Sequence, residues 1–214
     1  MIKVGITGGL GSGKTMVSTL LNVSGIPVYV ADNESKTLAD ASLVIREKLK
    51  KLLGDDLYVN EKLDRKQLAS FIFDDEDILE KVNNIIHPVV KEDFHKWVLM
   101  QETEICAIES AILFESGFDD DVDVVIMVYA PVELRLTRAM KRDGATEAEI
   151  MKRMNRQMPD TFKREKADFV IINDDVQPLI PQVDEILNQL KIESPSQSPP
   201  RGEERNPTIT QLNS

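Results

Sequence analysis

The chain has 214 residues, enough for one sizeable core with a small appended subdomain. Its composition, 42% apolar and 29% charged, is that of an ordinary globular protein, and its net charge of -11 excludes a nonspecific duplex nucleic-acid binder, which needs a basic footprint. No apolar run reaches the ~18 residues of a membrane span, no signal-peptide pattern opens the chain, and the lone Cys106 cannot close an internal disulfide. A reducing, cytoplasmic setting is expected, with no membrane and no nucleic acid among the partners.

In chain order, the first element is a short apolar run at residues 3–7 (KVGIT), followed by a glycine-rich loop and a helical pattern over 15–22. A weaker run, 27–30 (PVYV), precedes a long helical stretch from about 38 to 101. Three further runs follow: 105–108 (ICAI), 124–129 (VVIMVY) and 169–172 (FVII), with a helical pattern over 132–142 between the last two. Each run is apolar throughout rather than alternating, as strands buried on both faces of a parallel sheet require. Strands alternating with helices predict an α/β fold with right-handed crossovers. The roughly 75 residues between the second and third runs exceed the ~30 of a plain βαβ unit. They are an inserted helical subdomain or a set of extra packing helices.

Residues 133–166 form a basic island, with ten Lys/Arg against six Asp/Glu. Such an island either contacts a polyanion or is a solvated helix face laced by i,i+4 ion pairs. Beyond Ile192, residues 193–214 are rich in Pro, Ser, Gln and Glu and are expected to be a disordered tail.

The most specific signal is Gly8-Gly9-Leu10-Gly11-Ser12-Gly13-Lys14-Thr15, which fits G-x-x-x-x-G-K-[ST] at every fixed position. Glycines let backbone N–H groups converge on phosphate oxygens, and the helix that follows adds its positive end. Lys14 offers an ammonium to the β and γ phosphates, and the Thr15 hydroxyl is a ligand for Mg²⁺. The nucleotide is expected to be ATP, held by Gly8, Gly9, Gly11, Ser12, Gly13, Lys14, Thr15 and Met16. Phosphate-loop proteins usually supply an acid at the end of a neighbouring strand. Glu109, which follows the run 105–108, is the candidate for the metal, and Asp32, after the run 27–30, is a second acid at the same edge. A GTPase would carry Asn-Lys-x-Asp and Asp-x-x-Gly, and a motor ATPase an Asp-Glu pair closing a strand; none of these occurs. A core, an inserted helical region and an arginine-bearing segment point to a nucleotide-kinase arrangement.

An ordered set of short motifs resembles the dephospho-CoA kinase family. Thr7–Thr15 matches Thr-Gly-Gly-Ile-Gly-Ser-Gly-Lys-Ser, with Leu10 and Thr15 as conservative changes. Val30-Ala31-Asp32 stands for Asp-Ala-Asp. Asp64-Arg65, Phe71-Ile72-Phe73-Asp74 and His87-Pro88 follow in the family's order. Ala111-Ile112-Leu113-Phe114-Glu115 stands for Pro-Leu-Leu-Phe-Glu. Then come Arg138, Arg142, Arg153 and Gln157, and finally Ala167-Asp168-Phe169-Val170-Ile171-Ile172-Asn173. The resemblance spans about residues 1–190, departing at Val30, Lys36 and Ala111.

It implies a P-loop NTPase fold of the nucleotide-kinase type: a parallel five-stranded sheet flanked by helices. The core would be residues 1–36, 102–132 and 167–192, the helical acceptor subdomain about 37–101 and the helical lid about 133–166. The implied reaction moves the ATP γ-phosphoryl group to the ribose 3′-hydroxyl of dephospho-CoA, with Mg²⁺. Asp32 would take or orient the hydroxyl proton beside Lys14. Arg142, with Arg138, would close from the lid, and Asn173 would edge the adenine pocket. His87 and Cys106 are expected to be structural. A monomer or small homo-oligomer is expected. Another small-molecule kinase, or a nucleotide-gated interaction protein, are the competing readings.

Overall fold

The computed structural model describes residues 1–73 and 75–192. Asp74 and the expected tail, residues 193–214, lie outside the described residues. In chain order the elements are β1 (Ile2–Thr7), α1 (Lys14–Val23), β2 (Val28–Val30), α2 (Ala31–Ala41), α3 (Leu43–Leu53), β3 (Tyr58–Val59), β4 (Lys62–Leu63), α4 (Arg65–Ile72) and α5 (Glu76–Leu99). They continue with β5 (Ile105–Glu109), β6 (Val124–Tyr129), α6 (Val132–Asp143), α7 (Glu147–Asn155), α8 (Asp160–Lys166), β7 (Phe169–Ile172) and α9 (Leu179–Ile192). The chain divides into two compact units, one of residues 1–28 with 102 onward, the other of residues 29–101.

The five apolar runs are the five strands of one sheet, in the order β2-β5-β1-β6-β7. The pairs β1·β5, β1·β6 and β6·β7 are parallel, with Ile6 opposite both Glu109 and Ile126. Every residue of β5 is buried, which is why ICAIE carries no polar alternation. Val4, Ile6, Ala107, Ile126, Val128 and Ile171 of the sheet pack with Val17 and Leu21 of α1 and with Val183, Ile186 and Leu187 of α9. Each buried Val, Leu or Ile contributes about 1.5–3 kcal/mol of apolar transfer, so this cluster holds β1 and α1, and with them the loop they flank, in a fixed setting. Cys106 is wholly buried in β5, where desolvation raises its thiol pKa and makes it a small core residue.

The unit of residues 29–101 has its own core: Ile45, Leu49, Leu57, Val82, Ile86, Val90 and Phe94 are all buried. The Tyr29 ring lies 5.3 Å from Phe94 and 5.5 Å from Trp97, while its hydroxyl donates to Asp93 at 2.8 Å. Burial, and then Asp93, push the Tyr29 pKa up. The stretch expected to be helical throughout contains a short hairpin as well. Asn60 and Glu61, at φ 49° and 65°, turn β3 into β4. Glutamate is an unusual residue for that conformation, so this turn has little sequence signature. Asp64 caps α4 by accepting from the backbone N–H of Lys66 and Gln67, and Arg65 pairs with Asp40 at 2.9 Å. The α5 helix runs on through Pro88. His87 is half-buried, and burial, followed by Lys91, lowers its pKa.

Candidate active site

β1 ends at Thr7 and α1 starts at Lys14, so the glycine-rich loop joins a buried strand to a helix N-terminus, as phosphate binding by backbone N–H groups needs. Gly13 takes φ 95°, and a Cβ there would land on the Asn173 side-chain amide. That amide, 4% exposed and just past the end of β7, donates to the Ser12 carbonyl at 2.8 Å. Gly13→Ala is therefore expected to cost about 1–3 kcal/mol of backbone strain and to displace Asn173. The checks are a lowered thermal midpoint and weakened nucleotide binding in the same variant.

Lys14 folds its ammonium back over the loop, donating to the Gly8 carbonyl at 3.0 Å and the Gly9 carbonyl at 3.4 Å. The Thr15 hydroxyl donates to Glu109 Oε1 at 3.0 Å, joining the first turn of α1 to the last residue of β5. Glu109 is 7% exposed, and its other oxygen, Oε2, is buried with no hydrogen-bond partner among the described residues. The hydroxyls of Thr7 and Ser12 are unpartnered in the same way. A hydroxyl and one carboxylate, with an oxygen to spare, make an all-oxygen donor set. It fits Mg²⁺, which takes one or two carboxylates and completes its shell with phosphate and water. Met16 is mostly exposed on the first turn of α1.

Several cations of the basic island are paired, some within it and some with residues outside it. Arg138 donates to the Asn173 carbonyl at 3.1 Å and to Asp175 at 2.5 Å. Arg142 grips its neighbour Asp143 through two hydrogen bonds, of 2.7 and 3.2 Å, and Arg153 reaches the same carboxylate at 2.5 Å. Arg142, followed by Arg153, holds the Asp143 carboxyl well below the usual range, at about 2. Lys163 is fully buried. It donates to the Ala111 carbonyl at 2.7 Å and lies 3.0 Å from Glu115, which in turn accepts from the Met158 N–H. The acceptor at residue 111 is a backbone carbonyl, so alanine there serves as well as proline would.

Three residues outside the expected set touch the loop. Gln157 accepts from the Leu10 N–H at 2.8 Å, and Arg135, ion-paired to Asp160, lies against Gly9. Gln157 was visible as part of a motif. Arg135 was one of ten cations, and its burial depends on contacts that no local pattern encodes.

Asp32 belongs to the unit of residues 29–101. It is exposed, and it sits in the first turn of α2 rather than at the strand end, because Ala31 already begins the helix. Val30 is the N-cap and makes no side-chain cap bond. An aspartate at that position, as in Asp-Ala-Asp, would supply a cap, typically worth ~1 kcal/mol.

The dephospho-CoA kinase family profile matches residues 2–178. A dephospho-CoA kinase of Bacteroides fragilis is 50% identical over 187 residues, covering 87% of this chain and 91% of the relative. One of Porphyromonas gingivalis is 46% identical over 197 residues, covering 92% and 98%. A crystal structure from Thermus thermophilus superposes with a TM-score of 0.77 at 31% identity, over 90% of this chain and 97% of that one. The fold is also that of dephospho-CoA kinase from Campylobacter jejuni, with a TM-score of 0.64 at 24% identity over 88% and 96% of the two chains. Among the described residues, no helix is long and apolar enough to cross a membrane.

Proposed function

We infer the reaction from one premise: the chain belongs to the dephospho-CoA kinase family. It is an ATP-dependent phosphotransferase that moves the γ-phosphoryl group of ATP to the ribose 3′-hydroxyl of dephospho-CoA, giving CoA and ADP in the last step of coenzyme A biosynthesis. The observation that carries this reading is a family match over residues 2–178 around a phosphate loop set between a buried strand and a helix N-terminus.

Phosphoryl transfer asks a protein for alignment and charge neutralisation more than for covalent chemistry. Backbone N–H groups of the loop hold the β and γ phosphates, while that of Leu10 is taken by Gln157. Lys14 turns from the Gly8 and Gly9 carbonyls to the phosphate oxygens and balances the charge that builds on them. Thr15 and Glu109 are the residues that would hold Mg²⁺, which when bound neutralises the phosphate oxygens and fixes their orientation. The 3′-oxygen forms its bond to the γ-phosphorus as the bond to the β,γ-bridging oxygen breaks, and ADP leaves. Asp32 receives the hydroxyl proton. Arg138 and Arg142, on α6, serve as lid cations, exchanging a carboxylate partner for phosphate. Asn173 keeps the loop in shape through Ser12 at the adenine side. In this assignment residues 37–101 form the acceptor subdomain and 133–166 the lid.

The test is direct. Protein incubated with Mg-ATP and dephospho-CoA is expected to yield CoA and ADP in equal amounts, resolved by chromatography and mass. No CoA, together with phosphorylation of a different nucleotide or alcohol, would remove the acceptor and leave only the general kinase chemistry.

A further inference from the structure

We propose that Arg135 is a positioning residue for the phosphate loop: clamped to Asp160, its guanidinium holds the loop at Gly9 in the shape that receives ATP. This rests on the reading that the loop binds ATP.

Arg135 is 6% exposed on α6, and its Nη2 lies 2.6 Å from Asp160 Oδ2 at the start of α8. Its Nη1 fills the space that a Cβ on Gly9 would occupy, so Gly9 can have no side chain while the arginine is there. The Arg135 backbone carbonyl crowds Gly11 in the same way. Between those two glycines, the Leu10 N–H is held by Gln157 at 2.8 Å. Three consecutive loop residues are thus braced by a segment more than a hundred residues away in sequence.

The energetics argue against a simple anchor. Desolvating an ion pair costs several kcal/mol per ion, and well-packed apolar residues of similar volume often serve stability equally well or better. Here the pair is retained although the Arg135 Nε is buried with no hydrogen-bond partner among the described residues. What a guanidinium supplies and an apolar side chain does not is a flat, rigid fork. One arm is fixed by a carboxylate and the other lies on a backbone with no Cβ. Phosphate-binding N–H groups must stay within about 0.5 Å of their productive positions, so a brace of this kind acts on nucleotide affinity. Because Asp160 neutralises it, Arg135 is not a free charge for the phosphates, and its part is positioning rather than catalysis.

The experiment compares the wild-type protein, R135K and the double variant R135M/D160L by calorimetry with Mg-ATP, steady-state kinetics and thermal melting. The double variant removes both charges together and is expected to melt within roughly 2–4 °C of the wild type. Its Kd for Mg-ATP is expected to rise about 10-fold, part of the ~10²-fold that a misplacement of 1 Å can cost. The KM for dephospho-CoA and kcat at saturation should stay within about twofold, since uniform binding alone is lost. R135K keeps the charge beside Asp160 but not the fork, and a rise of about threefold or more in the same Kd is expected. Wild-type ATP affinity in either variant would overturn the proposal. So would an equal rise of both KM values, which marks general loosening, or a fall in kcat at unchanged Kd, which marks a part in the chemistry. A wild-type protein that bound no Mg-ATP would instead remove the reading of the loop itself, and Arg135's role with it.

Discussion

Lys14→Ala is expected to lower kcat by about 10²–10³-fold, the scale of losing one preorganised donor to charge that develops in the transition state. The structure separates this loss from a loss of folding. The Lys14 ammonium donates to two loop carbonyls, at 3.0 and 3.4 Å, and bonds of that kind contribute about 0.5–1.5 kcal/mol each. The β1–α1 core beneath, with Val4, Ile6, Val17 and Leu21 almost wholly buried, is untouched by the change. A thermal melt should therefore move by only a few degrees while turnover collapses. Lys14→Arg is expected to recover little, since a guanidinium is a wide planar fork where the loop has room for a compact charge. Turnover within tenfold of wild type in Lys14→Ala, measured at saturating Mg-ATP, would take the residue out of the reaction.

Asp32→Asn should cut kcat by about 10²-fold, at the lower end of what a positioned general base contributes, because a loose transition state asks little activation of the attacking hydroxyl. ATP affinity should not change. The substitution keeps shape and hydrogen-bonding capacity and removes only the ability to take a proton. Its stability cost is small: Asp32 is exposed in the first turn of α2, where a negative charge gains about 0.3–1 kcal/mol from the helix dipole. Rapid-quench measurement of CoA formation, beside a calorimetric titration with Mg-ATP, separates the two quantities. Wild-type turnover in this variant would leave the proton acceptor unassigned.

The strands were legible because burial on both faces writes itself as uninterrupted apolar runs. ICAI and VVIMVY lie within β5 and β6, which differ from those runs by a residue at most. The hairpin at Asn60-Glu61 was not legible, because its turn carries no glycine and its strands are two residues each. The end of β2 at Val30 was legible, but the start of the helix after it was not, for a related reason. Three residues of strand run directly into a helix with no capping side chain, and Ala31, a strong helix former, falls to the helix.

The basic island shows the limit most clearly. Composition identified ten cations in residues 133–166 and could not rank them. Only the fold puts Lys163 in the interior beside Glu115, sets Arg138 on Asn173 and Asp175, and lays Arg135 over Gly9.

By itself, then, the sequence determined the glycine-rich loop and its neighbours along the chain, because eight consecutive residues carry its whole motif. It also determined the sheet, whose burial is written locally as uninterrupted apolar runs, and the family, through an ordered set of short motifs. The tertiary structure alone decided what touches the loop. Asn173 reaches Ser12 across 161 residues, Gln157 reaches Leu10 across 147, and Thr15 meets Glu109 across 94. Contacts between residues so far apart arise from the sheet order β2-β5-β1-β6-β7, in which β1 lies between strands from later in the chain. No window of sequence contains both partners, so their pairing is a property of the packed sheet and not of either segment.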